Sequence, residues 1–138
     1  MDNQNKRIKR LVIGLGVFQI LLCLSALAGG FGFIADPTGA SMGMSLDLLG
    51  GTPFPDFLIP GIFLLFVIGI GHLAAGILTF FRFRYAGEAA ILLGVVLVIW
   101  IIAQVIWIGL AFWLQPLYFV FGLVEMRLGQ RLRRAMNA

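Results

Sequence analysis

Four stretches of this chain contain no Lys, Arg, Asp or Glu, and each approaches the length of a membrane-crossing helix: residues 11–34, 57–81, 89–107 and 110–124. An α-helix rises about 1.5 Å per residue, so roughly 20 apolar residues cross about 30 Å of hydrocarbon. These blocks occupy most of the 138 residues and leave no room for a separate soluble domain. They predict one all-α transmembrane domain over residues 1–138. Its four-helix bundle has helices near 11–34, 57–81, 88–107 and 110–128 and a structured outer loop at 35–56. Composition agrees: 61% of residues are hydrophobic and 12% charged, where soluble domains carry about 45–50% apolar and about 25% charged residues.

The basic residues set the orientation. Lys6, Arg7, Lys9 and Arg10 precede the first block, Arg82 and Arg84 lie between the second and third, and Arg127, Arg131, Arg133 and Arg134 follow the fourth. The loop at 35–56 carries Asp36, Asp47 and Asp56 and no Lys or Arg, and the short connection around Gly109 is uncharged. Four spans put all ten basic residues on one side; an odd number would divide them. The positive-inside rule makes that side cytoplasmic, with both termini inside, in the inner (plasma) membrane. The net charge of +4 then serves anionic headgroups. Nucleic acid is not an expected partner, because no basic surface with interleaved aromatics exists away from the membrane.

Residues 89–124 are too long for one span even when tilted. Gly109, flanked by Trp107 and Trp113, suits a tight outer hairpin, because glycine accepts positive φ and tryptophan favours the headgroup level. Pro116 then falls in the first turns of the last helix, where a missing N–H costs little. Trp100 lies deeper, as a packing residue. The first block, with its basic lead and Ala26-Leu27-Ala28, has the outline of a signal peptide. It runs on to Ile34, longer than such a segment needs, so an uncleaved helix is expected. Cys23 has no internal partner and reads as an apolar filler. Leu22 before it is too large for a lipidation site.

In the outer loop, Asp36-Pro37-Thr38-Gly39 reads as a turn. Ser45 can cap a short helix, Leu46–Leu49, closed by Gly50-Gly51, and Thr52-Pro53-Phe54-Pro55 is stiff and extended. Such a loop packs on its own helices or roofs a cavity between them. Asp36, Asp47 and Asp56 read as solvated acids; no metal site is expected.

Between helices in lipid, close packing of small residues replaces the hydrophobic effect. There are 18 glycines. Gly69, His72 and Gly76 share a face of the second helix, and Gly71 with Ala75 makes a small-xxx-small pair. Ala86, Ala90 and Gly94 recur at four-residue steps on the third. Gly14, Ala26, Gly29 and Gly30 are the corresponding contacts on the first.

Polar side chains inside apolar blocks are the candidate site, because lipid makes them costly. They are Gln19, His72, Gln104 and Gln115. Imidazole can relay a proton, bond a quinone carbonyl or join helices, and buried amides commonly do the last. Glu88 and Glu125 both fall at the cytoplasmic edge, Glu125 within reach of Arg127, Arg82 or Arg84. With no carboxylate expected at membrane depth, a proton-coupled antiporter is disfavoured. No Ser-His-Asp set, paired catalytic acids, HExxH or phosphate loop is present, so no catalytic residue is assigned.

Asp36-Pro37-Thr38-Gly39-Ala40-Ser41, residues 52–61 (TPFPDFLIPG), residues 100–104 (WIIAQ) and Leu114-Gln115-Pro116 resemble a group of small bacterial four-helix integral membrane proteins. The layout is similar to DoxX-like membrane proteins. That resemblance implies a four-helix membrane fold associated with respiratory-chain or quinone-linked sulfur oxidation. Such proteins often carry an acidic residue in the second helix, where this chain has His72.

These features favour a non-enzymatic membrane protein whose bundle binds a lipid, a quinone or a membrane-protein partner. The alternative is a small-solute transporter or channel, built as a homo-oligomer and lined by Gln19, His72, Gln104 and Gln115. A redox-associated subunit is the third reading.

Overall fold

The computed structural model describes residues 2–137. It is all-helical, and the described residues include no strand. Four helices run alternately up and down: α1 (Asp2–Ala35), α2 (Leu58–Phe80), α3 (Ala86–Ile108) and α4 (Leu114–Met136). Sequential helices pack side by side, and α1 also packs on α4, which closes the ring. α1, α2 and α3 are long and apolar enough to cross a membrane. α4 is as long as α3 but carries Glu125, Arg127, Arg131, Arg133 and Arg134. One end of the bundle holds both chain ends and the Phe81–Tyr85 turn (the charged end). The other holds the loop and the Gly109 hairpin (the loop end).

Two boundaries differ from expectation. α1 begins at Asp2, so the basic segment is helical and continues the apolar block without a break. α4 begins at Leu114 and runs to Met136, well past 128. Both differences have one cause: Lys, Arg and Gln are good helix formers, so charge ends the apolar block without ending the helix.

α2 is not uniform. Leu64–Ile70 widens into a π-helical stretch before α-geometry resumes at Gly71. Wide turns of this kind concentrate at functional positions, and this one ends two residues before His72. The α3–α4 hairpin turns at Gly109, with φ 72 and ψ −171, a conformation essentially confined to glycine.

Glycine sets how closely the helices approach. A Cβ on Gly94 would sit 2.7 Å from the Gly122 carbonyl, and one on Gly87 would sit 2.8 Å from the Gly129 carbonyl. Backbone therefore lies on backbone along α3 and α4, with Ala86 and Ala90 buried in the same seam. On α2, Gly69 and Gly76 face Leu27 and Ile20 of α1, and Gly71 faces Leu93 of α3. Gly30 on α1 lies against Leu65 and the Gly61 carbonyl, Gly29 lies near Leu64, and Ala26 is buried. Gly14 departs from its expected role: a Cβ there would meet nothing within 4 Å.

The interior is layered. Near the charged end, Val12, Leu15, Ala86, Ala90 and Leu132 pack together. Toward the loop end, Leu22, Ala26, Ile68 and Leu97 form a second apolar layer. Phe33, Leu49 and Phe57 close the loop end. Between the first two layers, in chain order, fall Gln19 on α1, His72 and Thr79 on α2, and Glu125 on α4, each 0% exposed.

Candidate functional site

His72 and Glu125 form the centre of this polar layer. His72 Nδ1 lies 2.6 Å from the Ile68 carbonyl. A carbonyl only accepts, so Nδ1 carries a hydrogen and donates it. His72 Nε2 then faces the Glu125 carboxyl, 3.0 Å from each oxygen. Hydrogen-bond geometry is met at Oε1, while Oε2 has no bonding partner. One proton occupies the Nε2–Oε1 contact, whether the pair is imidazolium–carboxylate or imidazole–carboxylic acid. Either way the pair is neutral as a unit, which suits the interior.

This corrects the placement of Glu125 at the cytoplasmic edge, paired with arginine. Its partner is His72, and Arg133 pairs with Glu88 instead, at 3.1 Å. The reason is rotational. Gln115, Gly122, Glu125, Gly129 and Leu132 are all buried along one face of α4, while Arg127, Arg131 and Arg134 are exposed on the other. Helical spacing through Gly122 and Gly129 was the available signal; the nearby arginines masked it. A carboxyl group therefore does lie among the packed helices, and the absence of an embedded acid no longer counts against proton chemistry.

Gln19 does not join that pair. Its Oε1 accepts from the Thr79 hydroxyl at 2.8 Å, and that hydroxyl also lies 2.9 Å from the Ala75 carbonyl. One hydrogen serves two acceptors, and Gln19 Nε2 has no partner. Thr79, missed in the sequence, is held by the spacing that buries His72, Ala75 and Gly76. The Ser25 and Tyr118 hydroxyls are also bonded to each other, tying α1 to α4.

Gln104 and Gln115 belong to a second place, at the loop end. Gln115 Nε2 donates to Gln104 Oε1 at 3.3 Å. Gln115 Oε1 accepts from the Ala111 and Phe112 backbone N–H groups at 2.9 and 3.2 Å, so this amide sets the hairpin. Gln104 borders a cavity of about 100 Å³ under the loop. Its walls include Phe33, Phe54, Phe57, Trp100, Trp107 and Phe112, with Thr52 and Gln104 supplying polarity. Phe33 stacks on Phe57 at 4.9 Å, Phe54 meets Trp107 edge-on at 5.3 Å, and Phe63 stacks on Trp100 at 4.5 Å.

The loop itself is built by local hydrogen bonds. Asp36 accepts from the Thr38 hydroxyl at 2.6 Å and from the Ser41 N–H at 3.0 Å. These bonds, the Thr38 hydroxyl's first, hold its carboxyl below the usual carboxylate range. Gly39 turns the chain at φ 77, Ser45 caps Leu46–Leu49, and Asp56 accepts from the Leu58 N–H. The short helix is 3-10 rather than α. Two of the three loop aspartates thus cap backbone, and the described residues hold no cluster of three or more His, Cys, Asp or Glu that could bind a metal. Cys23 is buried and unpaired.

No family model, curated protein or solved structure matches this chain.

Proposed function

We propose that this is a non-enzymatic protein of the inner membrane that takes an apolar ring or chain end, from a quinone or a lipid, into the aromatic cavity at its loop end. In this reading all four helices cross the bilayer, with both termini cytoplasmic and the loop outside. The cavity carries the proposal. Six aromatic side chains and one amide around about 100 Å³ suit a flat or chain-like apolar group with one polar atom. Engineered apolar cavities of ~150 Å³ take up benzene; the smaller volume here takes a few methylenes or part of a ring, and the rest of the ligand must lie along the bundle. Gln104 is the side chain that would bond a carbonyl.

An aqueous path lined by Gln19, His72, Gln104 and Gln115 has less support. Gln19 and His72 are sealed and bonded inside the bundle, while Gln104 and Gln115 bond each other elsewhere.

Tryptophan fluorescence tests the proposal. Trp100 and Trp107 line the cavity, whereas Trp113 is 76% exposed. A short-chain quinone, or a lipid brominated near its chain end, is expected to quench saturably in the wild type and in Trp113→Phe. Only linear, collisional quenching should remain in Trp100→Phe/Trp107→Phe. Linear quenching in all three proteins would defeat the assignment.

A further inference from the structure

We propose a second lipid site at the opposite end of the bundle, where the groove between the first turns of α1 and the last turns of α4 holds the phosphate of an anionic phospholipid. The site rests on the bilayer placement above but not on the aromatic cavity. Its lining is Asn3, Lys6, Arg7, Arg10, Leu11 and Arg131. Four of these six carry positive charge. Among the described residues the only ion pairs are His72–Glu125 and Arg133–Glu88, so none of the four is held in a salt bridge; Asp2, one turn before Lys6 on α1, is the one acid close to them along the helix.

The cluster is built against local electrostatics. Lys6 and Arg10 stand four residues apart on one helix face, where like charges repel. An anion seated among them relieves that repulsion, and a phosphate accepts several charge-assisted hydrogen bonds at once from arginine. Basic pockets between helices on the cytoplasmic side suit lipid headgroups.

The same helix face indicates a lipid rather than a free ion. Four residues on from Arg10 is Gly14, which leaves open space where a side chain would stand. Val17, Leu21 and Leu24 continue that face and are exposed. A ligand with its phosphate at Arg10 would find a gap at glycerol level and an apolar track beyond it. Basic, open and apolar features thus follow the order of an anionic phospholipid from headgroup to chain.

The test uses the full-length protein in gently activated native mass spectrometry, with phosphatidylglycerol, phosphatidylcholine and soluble glycerol phosphate as probes. The wild type is expected to retain phosphatidylglycerol over phosphatidylcholine. Arg10→Gln/Arg131→Gln should weaken that retention about 30-fold, from two basic residues lost near the headgroup. Arg82→Gln/Arg84→Gln removes the same charge at the other connection and should leave retention unchanged. Gly14→Leu fills the gap and should weaken phosphatidylglycerol without altering glycerol phosphate. Equal losses from both arginine pairs would show diffuse attraction and overturn the site. Glycerol phosphate displacing the lipid, with Gly14→Leu silent, would make it a free-phosphate site and overturn the lipid assignment. All five positions are exposed, so circular dichroism should match the wild type throughout.

Discussion

His72 and Glu125 meet in the middle of the bundle with no exposed surface, whereas Gln104 and Gln115 meet beside a cavity at the loop end. Both pairs sit in apolar surroundings, and both join helices. Around the first, Gly94 on α3 and Gly122 on α4 bring backbone against backbone, and Gly71 on α2 makes room for the Leu93 side chain of α3. Around the second, aromatic rings hold the helices and loop apart, and space remains between them. Polarity in the middle locks the fold; polarity at the loop end borders room for a guest. The two regions should therefore answer substitution differently.

The largest effect is expected at the locked pair. His72→Ala or Glu125→Ala leaves the other partner buried and unpaired, which costs about 3–5 kcal/mol. Replacing both, as His72→Leu/Glu125→Met, removes the unpaired group and should recover most of that loss. Glu125→Gln should be milder than Glu125→Ala, because an amide N–H can donate to Nε2 while Nδ1 stays on the Ile68 carbonyl. Unfolding of the detergent-solubilised protein by heat or denaturant measures all four. A double variant as unstable as the two single losses added together would show that the residues do not act as a pair.

Next come the glycines. Gly94→Ala places a methyl 2.7 Å from the Gly122 carbonyl, so α3 and α4 must move apart; overpacking of this kind costs about 1–3 kcal/mol. Gly50→Ala at the loop end is the matched comparison. Its nearest neighbour would be 3.4 Å away and its φ is −58, so the change should be close to neutral. Equal destabilisation at both positions would remove the contrast between a tight middle and a looser end.

Much of the tight middle is legible in the sequence alone. Glycine and alanine at three- and four-residue steps marked the faces on which α2 and α3 pack, and His72 fell on such a face. The burial of Glu125 is not legible in the sequence, because an apolar block ends just before it and arginine begins just after it. Hydropathy counts composition along the chain, while burial follows angle around the helix. Gly14 failed for the complementary reason: a small residue marks a close contact only if a neighbouring helix faces it. The cavity could be anticipated only as one of two fates for the loop, since its walls, among them Phe33, Phe57, Trp100 and Phe112, are brought together by the closed bundle from the two sides of the loop and of the Gly109 hairpin. Gln19, His72, Gln104 and Gln115 looked alike as polar residues in apolar blocks; sequence cannot say which of them share a level.

A smaller effect is expected from the loop-end amides. Gln104→Leu removes one interhelical bond and leaves Gln115 still capping the Ala111 and Phe112 N–H groups, a loss on the order of 0.6 kcal/mol. Gln115→Leu frees both N–H groups as well and should cost more. The order sharpens the regional contrast: Gln104→Leu should change quinone quenching of Trp100 and Trp107 more than it changes stability, the reverse of His72→Ala. If Gln104→Leu unfolds the protein as readily as His72→Ala, the loop end is a structural lock too, and the division fails.

The smallest effect lies in the loop that roofs the cavity, and it depends on pH. Asp36 is ionised when it accepts from Thr38 and Ser41, and those bonds lower its folded-state pKa below the ordinary 3.8. A lowered carboxyl contributes stability that is fully present above its unfolded value and is lost as pH falls through the folded one. The wild-type loop should thus be fully ordered at neutral pH and loosen only in strong acid. Asp36→Asn cannot ionise, so it should show weaker loop protection at neutral pH and lose the part of the acid transition due to this residue. Hydrogen exchange at Ser41 and Gly43, followed from pH 6 downward and corrected for intrinsic rates, reads this locally. The buried His72–Glu125 level should not follow that curve. If protection there falls in step with the loop, the loop and the middle of α2 unfold as one unit, and the cavity roof cannot open independently of the locked middle.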